Sequence, residues 1–111
     1  MQVARRNETI VTSSIVAHEL WYGVAKSRLA DQNARARAAF LGSDVPVLDY
    51  AERDTLAAGE IRAQLERQGT RVCEYDTLIA GQAFARNLIL VTAHTREFER
   101  VKGLIIEDWT A

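Results

Sequence analysis

Apolar residues along the chain form short aliphatic or β-branched runs separated by longer segments with helical spacing. The runs at residues 10–13 and 88–91 predict buried strands, since apolar and β-branched residues follow one another there. Residues 45–48 and 104–106 predict two more strands. Pro46 limits the first of these to a short or edge strand, because proline cannot donate to a ladder.

The intervening segments have the apolar spacing, the capping residues or the terminal glycines of helices. The first is apolar on most of its sides, which predicts a well-buried helix. A short turn or helix is expected at residues 95–100. The four longer helices are predicted from their cap Ser14 to about residue 27, from Asp31 to about residue 41 before Gly42, from residue 51 to 68 before Gly69, and from Asp76 to about residue 86. Ala58, Ile61 and Leu65 give the third helix its apolar spacing, and Phe84 is expected on the buried side of the fourth.

Helices that alternate with short apolar strands indicate an α/β fold with a parallel sheet. With 111 residues, the chain is long enough for one domain with one core, spanning residues 1–111. In such sheets the ligand site lies beyond the carboxyl ends of the strands. Functional side chains are therefore expected just after strands or at the first turns of helices.

Composition narrows the function classes. The net charge of −1 gives no global attraction to nucleic acid, although twelve of the fourteen cations are arginine, whose planar fork suits phosphate. The single cysteine, Cys73, excludes an internal disulfide and a cysteine zinc cage. No secretory signal or membrane span is recognisable, so a cytoplasmic protein is expected.

Three acidic residues occupy positions where strands and helices meet: Glu19, Asp76 and Glu97. Carboxylates that lie together repel one another unless a cation is present. Oxygen-only ligands suit Mg²⁺ or Mn²⁺, and such a metal activates water for attack on a phosphodiester. Taken alone, Asp76 is more simply an N-cap, Glu19 part of an exposed polar stripe, and Glu97 a surface residue.

Other polar and aromatic residues carry weaker signals. His18 and His94 each stand alone, which favours a structural or solvated role over that of a metal ligand. Trp21 and Tyr22 favour the core over a platform for base stacking.

Several motifs in a fixed order make the chain resemble the PIN-domain toxins of VapBC toxin–antitoxin modules, from about residue 9 to residue 109. Each motif is weak alone, and their order and spacing carry the resemblance. They are Thr12-Ser13-Ser14-Ile15-Val16 leading to Glu19-Leu20-Trp21-Tyr22-Gly23; Gly59-Glu60-Ile61-Arg62-Ala63-Gln64-Leu65; Asp76-Thr77-Leu78-Ile79-Ala80-Gly81; Leu90-Val91-Thr92; Thr95-Arg96-Glu97-Phe98-Glu99-Arg100-Val101; and the closing Gly103-Leu104 and Glu107-Asp108-Trp109.

The resemblance implies a parallel sheet flanked by helices and an endoribonuclease that depends on Mg²⁺ or Mn²⁺. It also implies a homodimer blocked by a cognate antitoxin, with a structured RNA such as initiator tRNA as the substrate. It assigns metal binding and catalysis to Glu19, Asp76 and Glu97, and a supporting hydroxyl to Thr92. Arg28 and Arg35 are expected to guide the RNA backbone.

Two departures from the family pattern bear on activity. Ala93 and His94 stand where the family has asparagines. The family's first strand, whose Leu-Asp-Thr-Asn-like end supplies the first metal ligand, has no counterpart before Thr9. The first central strand is therefore expected to be missing. Two strands would then have unpaired edges, in a chain that folds poorly alone, rearranges or borrows a strand. The alternative function is a non-catalytic module that only dimerises or binds antitoxin.

Overall fold

The computed structural model describes residues 3–6, 9–26, 35 and 45–108. Within them, the predicted strands and helices follow one another in the expected order, preceded by one strand that the sequence analysis does not predict. The strands are β1 (Val3–Arg6), β2 (Thr9–Ser13), β3 (Val47–Leu48), β4 (Ile89–Val91) and β5 (Ile106–Glu107). The helices are α1 (Ser14–Lys26), α2 (Glu52–Arg67), α3 (Glu74–Ala85) and α4 (Thr95–Phe98).

Most predicted elements are confirmed within a few residues of their expected ends. Beside Pro46, β3 is a two-residue strand at the edge of the sheet. Gly69 follows α2 with a φ of +71°, the left-handed conformation that glycine adopts without strain. The predicted helix at residues 31–41 lies outside the described residues, apart from Arg35, which is helical and exposed.

The sheet has the strand order β3-β2-β1-β4-β5. β2 pairs with β3 in parallel, as β4 does with β5, while β1 is antiparallel to both β2 and β4. Four strands therefore run in one direction, and the central strand runs against them. The PIN-like α/β prediction is confirmed, with a mixed sheet in place of a purely parallel one.

A central strand is present, so the expectation of two unpaired strand edges is wrong: β1 fills the central position. Because β1 runs antiparallel to both neighbours, it does not restore the parallel first strand of the family pattern, and the sheet is rearranged, which was one of the expected outcomes. Arg6 pairs with Thr9, so only two residues connect β1 to β2. A connection that short joins antiparallel strands, whereas a parallel pair needs a crossover of about a dozen residues or more. Pairing of β1 with β4, in which Val3 faces Val91, gives both neighbouring strands a partner.

The core lies between the sheet and the helices. Leu90 of β4 and Phe98 of α4 have no exposed surface, and both belong to the main apolar cluster. The other buried members of the cluster are Val11, Val16, Ile61, Leu65, Ile79, Ala80, Ala83, Leu88 and Val101. No helix among the described residues is long and apolar enough to cross a bilayer.

Three expectations about individual side chains are wrong. α1 buries Val16, Ala17 and Val24 but leaves Tyr22 61% exposed, so only one face of this helix is covered. Phe84, expected on the buried side of its helix, is 46% exposed. The helix that Ser14 was expected to cap begins at Ser14 itself, and the hydroxyl of Ser13 accepts a hydrogen bond from the amide of Ile15 at 3.1 Å.

α2 and α3 cross closely at one pair of small residues. A Cβ placed on Gly81 would lie 2.6 Å from the Cβ of Ala58 and 2.7 Å from its Cα. The Cα and Cβ of Ala58 are held in place by the backbone of α2, so rotation of a side chain cannot relieve the overlap. Gly81 therefore sets the distance between the two helices, and α3 carries the candidate site residue Asp76.

We expect Gly81→Ala to lower the free energy of unfolding by about 1–3 kcal/mol, the usual cost of overpacking. The measurement is the urea unfolding midpoint of the parent and the variant. Gly59→Ala on α2 is the matched control, since a Cβ there meets nothing within 4 Å. That control should gain about 0.5–1 kcal/mol from helix propensity. Equal stabilisation by both substitutions would contradict the close crossing.

Candidate active site

The carboxyl ends of β2, β3, β4 and β5 lie at one edge of the sheet, since these strands run in the same direction. The chain enters α1 directly after Ser13, at the end of β2. Thr92 follows the last residue of β4. Helix α4 begins three residues beyond Thr92. This edge thus gathers the segments that lead to the candidate acids Glu19 and Glu97.

A ring contact joins the segments that carry Glu19 and Asp76. The rings of His18 and Tyr75 lie 5.8 Å apart between centroids, with 38° between their planes. Glu19 directly follows His18, and Asp76 directly follows Tyr75. Glu19 is exposed and Asp76 half-buried. The contact therefore places the backbone of Glu19 and the backbone of Asp76 on neighbouring helices near one another.

Asp76 is not the N-cap of its helix. α3 begins two residues earlier, at Glu74, and Cys73 is the N-cap. Asp76 thus lies in the first turn, where the amide of Thr77 already donates to the carbonyl of Cys73 at 3.0 Å. A carboxylate in a first turn is favoured by the helix dipole. The simpler explanation of Asp76 as a capping residue is wrong.

Glu97 is half-buried on α4, and its Oε2 atom is buried without a hydrogen-bond partner in the described part of the chain. Nearby in sequence, Thr92 is 3% exposed, and its hydroxyl accepts a hydrogen bond from the amide of His94 at 3.0 Å. The amide of Thr92 donates to the carbonyl of Glu107 at 3.0 Å. Thr92 therefore orders the turn that leads from β4 into α4.

The predicted metal centre of three carboxylates is not assembled here. Among residues 3–6, 9–26, 35 and 45–108, no three Asp, Glu, His or Cys side chains are grouped so as to hold a metal ion. The buried, unpartnered oxygen of Glu97 has the chemistry of a ligand for a hard cation. The joint role of Glu19, Asp76 and Glu97 thus stays a prediction. Arg35 is exposed, and Arg28 lies outside the described residues.

A buried ion pair links the first turn of α2 to the carboxyl end of α3, and the sequence analysis does not predict it. The carboxylate of Asp54 has no exposed surface and accepts hydrogen bonds from Arg86, at 3.2 Å from Nε and 2.8 Å from a terminal nitrogen. The amide of Ala51 donates to it at 2.8 Å, and Gln82 approaches it at 3.5 Å. Arg86 also donates to the carbonyl of Asp49 at 2.7 Å.

Burial and hydrogen bonding oppose each other at this pair. Burial acts to raise the pKa of the Asp54 carboxyl, but the hydrogen bonds from Arg86, Ala51 and Gln82 outweigh it and hold the pKa below its usual range. The hydroxyl of Tyr50 donates to the carbonyl of Leu78 at 2.8 Å. Burial, and then the charge of Asp54, raise the pKa of Tyr50 to about 12. The network therefore fixes α3 against the start of α2 and the segment before it.

The comparisons with known proteins agree with this architecture. The sequence profile of the PIN domain matches residues 2–104. Ribonuclease VapC2 of Rickettsia felis is 40% identical over 109 residues, which are 98% of this chain and 81% of that protein. The tRNA(fMet)-specific endonuclease VapC of Shigella flexneri is 47% identical over 98 residues, 88% of this chain and 74% of that protein.

A solved structure extends the similarity to three dimensions. It is the crystal structure of VapBC2 from Rickettsia felis bound to a DNA fragment from its promoter. The chain superposes on it with a TM-score of 0.84 at 43% identity, covering 93% of this chain and 77% of the other.

Proposed function

The chain belongs to the VapC ribonucleases of the PIN-domain family, and from this premise we propose that it cleaves a structured RNA in a reaction that depends on Mg²⁺ or Mn²⁺. One observation carries the proposal: 47% identity over 88% of the chain to a tRNA(fMet)-specific endonuclease. Initiator tRNA is accordingly the proposed substrate. Because RNA is the proposed substrate, the cytoplasm is the proposed place of action.

Glu19, Asp76 and Glu97 are the proposed ligands of the metal. Supporting observations are the His18–Tyr75 contact between the helices of Glu19 and Asp76, and the buried oxygen of Glu97 that lacks a hydrogen bond in the described residues. A bound Mg²⁺ or Mn²⁺ would supply an activated water and a counter-charge for the phosphodiester. The protein's own part is to hold its carboxylates at the carboxyl edge of the sheet, with Thr92 ordering the turn before Glu97.

The proposed partners are a cognate antitoxin and a second copy of the chain. Solved relatives include VapBC2 of Rickettsia felis and VapBC-5 of Mycobacterium tuberculosis, a member of the VapBC family of toxin–antitoxin systems, which supports an antitoxin partner. The homodimer rests on the family resemblance.

The direct test incubates the purified 111-residue protein with initiator tRNA. We expect cleavage with Mg²⁺ or Mn²⁺ and none in EDTA. Cleavage that persists in EDTA would contradict the metal-dependent reaction, and intact tRNA under all conditions would contradict the enzyme proposal.

A second candidate function is the non-catalytic module that binds antitoxin. The direction of β1 favours it, because this central strand enters the sheet at the carboxyl edge, where Val3 faces Val91, and leaves at the other edge. The carboxyl end of β1 therefore lies at the edge of the sheet opposite the candidate site. Stable capture of antitoxin by a protein that cuts no RNA would support this function over the first.

We expect Mn²⁺ to stabilise the folded protein through Glu97, with a readout independent of cleavage. At a metal concentration 100 times the dissociation constant, binding contributes about 2.7 kcal/mol, seen as a rise in the melting temperature. Glu97→Gln should lose most of that rise. Glu99→Gln, an exposed neighbour, should keep it. A full metal-induced rise in Glu97→Gln would remove Glu97 from the ligand set.

A further inference from the structure

Two exposed aromatic rings lie beside two of the candidate acids. His18 is exposed, Tyr75 is 46% exposed, and their rings are 5.8 Å apart. Each ring directly precedes an acid in sequence, His18 before Glu19 and Tyr75 before Asp76. Unlike the ring of Phe98, which has no exposed surface, these two rings remain accessible to a ligand while they contact each other. This pair keeps much of its surface open at the site.

A groove beside Tyr75 offers space for a nucleotide. Its volume is about 730 Å³, within the range of roughly 300–1,000 Å³ typical of small-molecule pockets. Tyr75 and Thr77, on either side of Asp76, both line it. The groove therefore reaches the first turn of α3 beside Asp76, although Asp76, Glu19 and His18 do not line it.

The charges of the groove indicate how a nucleic acid would be held there. Arg62 and Arg71 line it together with Glu66 and Glu74, so the formal charges cancel. Arg62 also contacts Glu66 at 3.3 Å and Glu74 at 3.6 Å. A neutral lining gives little attraction for a phosphate backbone. Stacking of a base on an aromatic face does not need net charge.

We propose that His18 and Tyr75 form a platform on which one unpaired base of the RNA stacks, next to the phosphodiester that is cut. The proposal rests on the ribonuclease function proposed above and names the residues that position the substrate. Single-stranded segments of RNA are commonly recognised by stacking on tyrosine or histidine. Because each ring directly precedes an acid in sequence, a base stacked there would lie one residue from the backbone of Glu19 and of Asp76.

The test is steady-state cleavage of initiator tRNA by the parent, Tyr75→Ala, Tyr75→Phe and His18→Ala. Loss of base stacking on one aromatic ring costs about 5- to 150-fold in affinity. We expect Tyr75→Ala to raise KM by a factor in that range with kcat nearly unchanged, the pattern of lost uniform binding. Tyr75→Phe should restore the parent KM, because it keeps the ring. His18→Ala should raise KM less. The ratio of the KM of Tyr75→Ala to the KM of the parent should hardly change with salt concentration.

The matched control is Phe84→Ala. Phe84 lies on the same helix as Tyr75 and has the same exposed fraction, 46%, but lies at the other end of the helix. It should keep the parent KM. A fluorescent base analogue placed in turn at each nucleotide around the cut should be quenched by the parent and by Tyr75→Phe at one position. Tyr75→Ala should abolish that quenching.

The outcomes separate the two proposals. RNA cleavage by the parent with equal KM values for Tyr75→Ala and Phe84→Ala would overturn the platform and leave the ribonuclease function standing. Loss of antitoxin affinity in Tyr75→Ala, with KM for RNA unchanged, would also overturn it and assign the rings to the protein partner. A parent protein that cuts no RNA would overturn the ribonuclease function and the platform together.

Discussion

Replacing Asp76 by asparagine should lower cleavage of initiator tRNA by about 100-fold or more. A catalytic metal contributes several kcal/mol of transition-state stabilisation, and about 2.7 kcal/mol corresponds to that factor. Asparagine keeps the size of the side chain but removes the charge that attracts a divalent cation. The measurement is kcat/KM with saturating Mg²⁺ or Mn²⁺.

The control separates a specific role of Asp76 from the general effect of negative charge in the first turn of α3. Glu74 is the other acid in this turn, and its side chain is 74% exposed. Glu74→Gln should retain most of the activity. If Asp76→Asn and Glu74→Gln had the same small effect, Asp76 would contribute only to the helix dipole. Melting curves of both variants establish that the fold is kept.

Replacing Arg86 by methionine should lower the free energy of unfolding by roughly 3–5 kcal/mol, the typical cost of removing one partner from a buried ion pair. The carboxylate of Asp54 has no exposed surface, and the Arg86 side chain is 17% exposed. The variant leaves that carboxylate buried without its guanidinium. Since a whole domain is stable by about 5–15 kcal/mol, the loss is large. The measurement is chemical unfolding, with the midpoint and slope both fitted.

Arg62→Met is the matched control, because it removes an arginine from an exposed ion pair. Its partners lie at 3.3 Å and 3.6 Å, but its side chain is 58% exposed. Exposed pairs contribute roughly 0–1 kcal/mol. Equal losses of unfolding free energy in Arg62→Met and Arg86→Met would contradict the importance of burial.

The double variant Asp54→Asn with Arg86→Met should lose less unfolding free energy than the sum of the two single variants, since the second change removes a charge already unpaired.

The Asp54–Arg86 pair also makes the free energy of unfolding depend on pH. The pKa of Asp54 is lowered in the folded state, so its contribution is present above the ordinary carboxyl pKa of about 3.9. This stabilising contribution is lost as the pH falls through the lowered pKa of Asp54 in the folded state, where the folded protein binds the proton. In Arg86→Met, burial without a partner should raise the pKa of Asp54. That variant should therefore gain stability, relative to the parent, as the pH falls from 7 towards 4.

Hydrophobic patterning located most of the described elements, but it located neither β1 nor the direction in which β1 runs. The apolar run at residues 88–91 predicted β4, and the residue spacing of Ala58, Ile61 and Leu65 predicted α2. The strand at Val3–Arg6 is short and contains two arginines, so it gives no apolar run that a sequence pattern would detect. Its position depends on long-range pairing with β4, which no local signal encodes.

In the candidate site, too, the local sequence indicated some features, while others depend on contacts between residues that are distant in sequence. Acids near strand ends and in first helical turns were recognisable from the sequence, but their mutual distances depend on tertiary packing. Asp54 had one local signal, since it lies three residues after Ala51 and accepts its amide. Its ion-pair partner, Arg86, lies 32 residues away in the sequence and could be found only in three dimensions.

The central position of β1 has a consequence for biosynthesis. One side of this strand pairs locally with β2, but the other pairs with β4, where Arg5 meets Ile89 about 85 residues later. At roughly 5–20 residues per second, the ribosome needs on the order of 4–17 s to make the intervening chain. Until then the second side of β1 is an open edge on the nascent polypeptide, able to pair with other chains. The sheet closes only after β4 and β5 have been synthesised, so no earlier nascent chain has the finished carboxyl edge.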